Sequence, residues 1–356
     1  MALQFERAEY ASRIKAACAA MAAAGLDGLL MYRQESMYYL TGYDTFGFVH
    51  YQCLYLGADG TLTLLTRKPD LLQAKHTSVI EDIRIWVDQE GADPYAETRK
   101  VLEDHRAKGK KVGIELEAYG LTARKYLGVA QALQGFCALE DASFLVSQLR
   151  LVKSPAELAY VRRAAELADA GMDEARRLAV AGAYEGDILA AMQGAVLAGG
   201  GDDPANENII GSGRDALLCR YFTGRRHLDP QDLLTLEFAG TYRHYHACWM
   251  RTLAIGKPDP AIIAMHKASV ESLMAARDAL KPGRPIGEVF DAHARVLDRA
   301  GHGAHKMNAC GYSLGALFAP NWMDWPMFYH GNPVVAAPGM VFFIHIIVYD
   351  EARGLA

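Results

Sequence analysis

The chain has 356 residues, 51% of them apolar and 22% charged, with a formal net charge of −5. That length accommodates roughly two domains with sizeable cores, in an ordinary globular composition. A mildly acidic chain with no basic stripe interleaved with aromatics excludes nucleic acid and anionic membrane as expected partners.

The opening stretch MALQFERAEYASRIKAACAAMAAAGLDG carries charges throughout. It reads as an alanine-rich amphipathic helix, not a secretory signal, which needs an uninterrupted apolar core. No later run approaches the length of a membrane span. The six cysteines (18, 53, 137, 219, 248, 310) are scattered without a CxxC pair, which fits reduced thiols in a cytoplasm better than a disulfide framework. Leu29-Leu30-Met31-Tyr32 reads as a short buried strand. Cys53–Gly57 and Thr61–Thr66 form an expected hairpin around Ala58-Asp59-Gly60, a turn that needs positive φ at glycine. Ile83–Val87 and Lys111–Leu116 are further strands, separated by a helix around Tyr95–Lys108. Strands interleaved with helices imply an α/β layer arrangement ending near residue 147.

The boundary is marked by Leu149-Arg-Leu-Val-Lys-Ser-Pro-Ala-Glu-Leu158. Ser154 is a good N-cap, Pro155 fits the first turn and Glu157 completes a capping box. The helix so started runs to about Val180, and a second covers Glu185–Leu197 until Gly199-Gly200-Gly201 breaks it. Strands are expected at Glu207–Gly211 and near Leu217–Phe222. Thr235–Thr252 reads as two strands joined by a tight turn at Gly240. Helices follow at Pro260–Leu280 and Ile286–Ala300, and a strongly apolar strand at Met340–Tyr349. No solenoid repeat or low-complexity tract is present.

The L-R-x-x-K-S-P-x-E-L helix start, the paired helices, the hairpin ending in Arg251-Thr252, Gly311-Tyr-Ser-Leu-Gly315 and Pro338-Gly-Met-Val-Phe-Phe-Ile344 occur in one order. Together they resemble the creatinase/prolidase branch of the methionine aminopeptidase (pita-bread) family, which includes Xaa-Pro dipeptidases and aminopeptidase P. The resemblance covers nearly the whole chain. It implies an α/β (α+β) fold, with a creatinase-type N-terminal domain over residues 1–147 and a pita-bread catalytic domain over residues 148–356. It also implies a homodimer in which the N-terminal domain caps the partner's active site. Leu236-Glu-Phe-Ala-Gly240, Arg243-His-Tyr-His246, Ala319-Pro-Asn-Trp322 and the segments Leu40–Asp44 and Phe48–Gln52 are similar to the narrower ectoine hydrolase group. The family normally continues past the final strand with a hairpin bearing a last metal glutamate. This chain stops at Gly354-Leu-Ala356, so the catalytic domain is expected to lack that hairpin.

The family's metal ligands are replaced. Glu237 and Cys248 stand where two hairpin aspartates belong, Tyr312 where a histidine belongs, His345 where a glutamate belongs and Arg220 where a further histidine is usual. Two bridged divalent ions need bridging carboxylates, so the substitutions point to a metal-free site. A single softer-ligated ion such as Zn, Mn or Fe is the alternative. The expected function is metal-independent hydrolysis of a C–N bond in a small amidine, cyclic amide or N-acyl amino acid. A metal-dependent Xaa-Pro dipeptidase or lyase and an inactive binding homologue are the alternatives.

Glu237 lies in a strand interior, where burial raises a carboxyl pKa, and could serve as nucleophile or general base. Pairing with Arg243 or Arg251 would make it structural instead. His246 and His345 could shuttle protons near neutral pH, and in a regular pleat His244 and His246 would share a face. Tyr312 could donate to an oxyanion or simply pack. Arg220 could bind a substrate carboxylate or pair with Glu237. Tyr242, Trp322 and Asp324 are further substrate-binding candidates, the last two within an aromatic run, 322–329, that could cage a cationic ligand or pack as core. Tyr43 and His50 complete the substrate-binding candidates and, with Phe46, are candidates for contact across the dimer.

Overall fold

The computed structural model describes residues 3–218, 220 and 224–356. The chain divides into two compact units, Met1–Arg150 and Leu151–Ala356. Among the described residues no helix is long and apolar enough to cross a membrane.

The first unit runs α1 (Arg7–Ala23), β1 (Gly28–Met31), α2 (Gln34–Thr41), β2 (Cys53–Gly57), β3 (Leu62–Arg67), α3 (Leu71–Thr77), β4 (Asp82–Trp86), α4 (Pro94–Asp104), β5 (Lys111–Ile114), α5 (Ala123–Leu133) and β6 (Ala138–Asp141). Its sheet has the order β4-β3-β2-β1-β5-β6. The β2–β3 hairpin turns at Gly60, whose φ is +87°. Strand β1 is buried on both faces: Leu29 and Met31 enter one core, Leu30 and its neighbour Tyr32 the other. This is the period-two alternation of a covered central strand. The buried Glu115 accepts from Ser36 Oγ and from the backbone N–H groups of Tyr32 (3.0 Å) and Arg33 (2.8 Å), so it stitches the loop after β1 to the end of β5.

Helix α6 (Leu145–Leu151) ends at the junction, and α7 (Pro155–Leu178) begins the second unit. Both capping-box bonds between Ser154 and Glu157 form. There follow α8 (Glu185–Ala198), β7 (Ile209–Ser212), β8 (Asp232–Tyr242), β9 (Tyr245–Ile255), α9 (Pro260–Ala279), α10 (Gly287–Arg299), β10 (Gly311–Ser313), β11 (Asp324–Met327) and β12 (Phe342–Ile344). They build two three-stranded sheets, β7-β8-β9 and β11-β10-β12. Of the strand expected near Leu217–Phe222, positions 219, 221 and 222 lie outside the described residues, and Leu217 itself closes a 3-10 turn, Gly213–Leu217. The long strand expected over Met340–Tyr349 is strand only at Phe342–Ile344. Its one strand partner, β10, is three residues long, so no ladder exists to carry it further.

The β8–β9 turn is at Arg243-His244, not at Gly240. Both residues adopt positive φ (50° and 64°), and Tyr242 pairs with Tyr245 across the turn. This is the left-handed pair that a two-residue hairpin loop requires. Gly240 lies inside the ladder opposite Ala247. It is glycine for another reason: a Cβ there would sit 2.1 Å from the Ala164 carbonyl oxygen and 2.3 Å from the Ala168 nitrogen of α7. Glu157 ties the start of α7 to this hairpin by accepting from the Tyr245 hydroxyl at 2.8 Å, and Arg243 donates to the Tyr160 hydroxyl at 2.7 Å.

Gly240→Ala is expected to cost about 3 kcal/mol or more, since backbone of α7 must move. Gly194→Ala, inside α8 with nothing within 4 Å of the added methyl, is expected to stabilise by about 0.5–1 kcal/mol. Urea denaturation of the two variants checks the contrast.

Candidate functional site

The pleat of β8 sorts its residues. Leu234, Leu236 and Phe238 face the core shared with α7 and α8. Glu237 and Ala239 point the other way, toward the sheet that holds Tyr312. On β9 the matching positions are Met250, opposite Glu237, and Cys248, opposite Ala239. The hairpin thus delivers Glu237 and Cys248 to one face, and β10 and the segment after β12 bring Tyr312 and His345 against it.

Glu237 is 9% exposed. The Tyr312 hydroxyl donates to its Oε1 at 3.4 Å, and the Trp322 indole N–H donates to the Tyr312 oxygen at 2.9 Å. Burial pushes the Glu237 carboxyl up to about 7, against the opposing pull of the Arg220 charge and the Tyr312 hydrogen bond. The Cys248 thiol and the Tyr312 phenol are both driven well above their ordinary ranges, first by burial and then by neighbouring acidic groups, Glu237 among them. His345 packs 5.3 Å from the Tyr312 ring, centroid to centroid. Burial, with the charges of His293 and Arg220, lowers its imidazole to about 4. Arg220 is exposed, and among the described residues it forms no ion pair with Glu237; its charge acts at longer range. Arg243 and Arg251 do not pair with Glu237 either. Arg243 reaches Tyr160, and Arg251 donates to the Met250 carbonyl and lies over Trp249.

Several candidates lie away from this cluster. His246 is fully buried, with both ring nitrogens engaged: Nε2 accepts from the Ala205 N–H at 2.9 Å and Nδ1 lies 2.8 Å from the His244 carbonyl oxygen. Burial lowers it to about 3, and both nitrogens are committed to backbone partners. It does not share a pleat with His244, which sits in the turn and stacks on Phe318. Tyr242 lies on the α7 side, against Tyr160. Asp324 opens β11 and pairs with Ser313, one strand away. Trp322, 2% exposed, contributes its indole N–H to Tyr312 and Phe328 is core, while Trp325 is part-buried and Tyr329 is 46% exposed. In the first unit Tyr43 is wholly buried, its hydroxyl donating to Gln52 at 3.1 Å. His50 is exposed, as is Phe46 at 80%.

A cavity of about 540 Å³ opens beside the cluster, between β9, α9 and residues 343–349. His345 lines it, with Met250, Thr235 and Tyr349, and these last three also border a small cleft at Glu237. Sequence reasoning missed His293, whose charge reaches His345. The available signal was a lone histidine on the buried face of α10, beside Val289, Phe290 and Leu297.

The sequence pattern of the metallopeptidase family M24 matches residues 159–355, and that of the creatinase/prolidase N-terminal domain matches residues 13–152. The chain belongs to family M24. Among similar proteins, the ectoine hydrolase of Halomonas elongata is 28% identical, over all of this chain and 93% of its own length. The solved dipeptidase PepE of Mycobacterium ulcerans is 29% identical, with a TM-score of 0.83 over 97% of this chain and 90% of its own. The prolidase of Thermococcus sibiricus superposes with a TM-score of 0.86 at 22% identity, over 96% of this chain and 90% of its own, which shows the fold alone.

The residues at the M24 ligand positions do not fit a dinuclear metal centre. Of Glu237, Cys248, Tyr312 and His345 only one is a carboxylate, and two bridged ions need several. The Tyr312 oxygen already accepts the Trp322 N–H. Among the described residues no three His, Cys, Asp or Glu side chains gather closely enough to hold an ion.

The raised Glu237 pKa carries a stability consequence. Below about 4.5 the carboxyl is protonated in folded and unfolded chains alike, and its burial costs no charge. As pH rises to about 7 the unfolded chain ionises while the folded one resists, so stability falls through that window and stays low above it. The shift from 4.5 to about 7 corresponds to roughly 3 kcal/mol. Glu237→Gln is therefore expected to gain on the wild type by that order between pH 4.5 and 7.5 in chemical denaturation. A pH-independent difference would contradict the assignment.

Proposed function

We propose that this M24 protein hydrolyses a C–N bond in a small amidine, cyclic amide or N-acyl amino acid, with Glu237 as general base and no metal. The observation that supports the reading is a single buried carboxyl with its pKa near 7, set at the family's reactive position and hydrogen-bonded to Tyr312. A base is most effective when its pKa lies near the working pH. The ionised carboxylate takes a proton from water as the water oxygen bonds to the electrophilic carbon. Once Glu237 is protonated, the Tyr312 O–H, whose oxygen accepts the Trp322 N–H, can turn from the carboxyl and donate to the charge that develops. As the C–N bond breaks, the proton on Glu237 passes to the leaving nitrogen, which restores the carboxylate. His345, neutral at this pH, supplies a hydrogen-bonding wall to the cavity. Arg220 provides a cation for a substrate carboxylate. The names of the relatives, ectoine hydrolase and dipeptidase, support a C–N hydrolase.

A homodimer belongs to the same proposal, with the exposed Phe46 and His50 as contact candidates. So does a cytoplasmic setting, consistent with five described cysteines that are all free thiols.

Purified protein is expected to turn over a member of a panel of ectoine, creatine, N-acyl amino acids and Xaa-Pro dipeptides, and to do so equally well after exhaustive chelation. Its kcat/KM is expected to rise with pH to a plateau above about 7. Glu237→Gln is expected to lose on the order of 10²–10⁴-fold. Activity that chelation abolishes and Mn or Zn restores would favour a metal-dependent dipeptidase. Binding with no turnover would favour an inactive homologue.

A further inference from the structure

His246 lies at the start of β9, wholly buried, and joins three segments of the second unit. Its Nδ1 is 2.8 Å from the His244 carbonyl oxygen, and its Nε2 is 2.9 Å from the Ala205 backbone nitrogen. Both partners are main chain, so their roles are fixed. A carbonyl oxygen only accepts, which puts the ring proton on Nδ1. A backbone N–H only donates, which leaves Nε2 its lone pair. The His246 backbone N–H donates to the Gly315 carbonyl at 3.2 Å, and the Leu317 N–H to the His244 carbonyl at 3.0 Å. The hairpin end is thus knitted to the segment that follows β10. The His246 ring stands 6.4 Å from that of Trp322, centroid to centroid, at 49°, within the range in which aromatic rings pack. Ala205 belongs to the same apolar cluster as Trp322 and Tyr312. From Trp322 the contacts run on to the carboxyl: its indole N–H donates to the Tyr312 oxygen at 2.9 Å, and the Tyr312 hydroxyl to Glu237 at 3.4 Å.

We propose that His246 is a positioning residue for Glu237: its two backbone bonds lock the ring and the Ala205 segment around the Trp322 indole, so that Trp322 holds the Tyr312 oxygen and the Tyr312 hydroxyl stays within reach of the carboxyl. The ring acts through Trp322 and gives up no proton, since each nitrogen is already committed to main chain. The Tyr312 bond is long, so a small displacement of the phenol breaks it. The inference rests on the reading of Glu237 as general base. It extends that site from Glu237 and Tyr312 to the hairpin end and the Ala205 segment behind them.

The test is NMR of the full chain in two labels. With ¹⁵N-histidine at neutral pH, and the His246 signals assigned by their loss in His246→Gln, the wild type is expected to show the Nδ1–H tautomer. With ¹³C-glutamate, the carboxyl midpoint of Glu237 is followed in the wild type and in variants. The Tyr312 bond favours the ionised carboxylate, so its loss raises the midpoint. His246→Leu, which removes both ring bonds, and Trp322→Phe, which keeps an aromatic ring and removes the indole N–H, are each expected to raise it by about half a pH unit or more. The double variant is expected to raise it no further than Trp322→Phe alone, because both act through one bond. His246→Gln, whose amide oxygen can accept the Ala205 N–H, is expected to raise it less than His246→Leu, and keeps the test open if His246→Leu does not fold. An Nε2–H or doubly protonated His246 in the wild type would overturn the proposal. A midpoint unmoved by both His246 variants, one unmoved by Trp322→Phe, or shifts that add in the double variant would do so too. None of these spectra needs turnover, so they decide the proposal separately from the hydrolase reading.

Discussion

Helix α7 lies so close to β8 at Gly240 that a single methyl group there would meet helix backbone. This contact fixes which face of β8 is covered. With Phe238 and Leu236 committed to the helical layer, Glu237 and Ala239 must face the second sheet. A one-residue slip would exchange the two sets and bury the carboxylate under α7. The capping box at Ser154, whose glutamate also takes the Tyr245 hydroxyl, locks the helix start to the same hairpin. The position of the Glu237 carboxyl is therefore a consequence of helix–strand packing.

The chemistry follows from what surrounds that carboxyl. Burial raises Glu237, Cys248 and Tyr312 together, and each would oppose a second negative charge near it. The cluster tolerates one ionisation near neutrality, that of Glu237, helped by the Arg220 charge and the Tyr312 hydrogen bond. A site with one mobile proton suits general base catalysis. Two bridged divalent ions need several anionic oxygens held together, and this chain places a thiol, a phenol and an imidazole at those positions.

The family and the two-layer second unit were legible from short local motifs, because caps, the Arg-Thr strand ending and the Pro-Gly-Met-Val-Phe run each encode backbone geometry. Glu237, Tyr312 and His345 were singled out because they occupy marked positions in those motifs, and the fold brings their side chains together. The expectation that His244 and His246 share a face failed because His244 is not part of a regular strand. Positive φ at Arg243 and His244 breaks the pleat there, and neither residue is of a type that advertises a left-handed turn. Gly240 looked like that turn, since close helix approach and tight turning both select glycine. Tyr43 sat in a recognisable loop, but its burial depends on Gln52 and Thr66, contacts that spacing does not show.

The proposed function requires Glu237 to be a protonatable group, not a metal ligand. Its carboxyl titration, followed by carbon NMR of glutamate-labelled protein against Glu237→Gln, measures this directly. One carboxyl with a midpoint near 7, unmoved by added zinc or manganese, is the predicted result. A midpoint in the ordinary carboxylate range, or one displaced by stoichiometric metal, would contradict it.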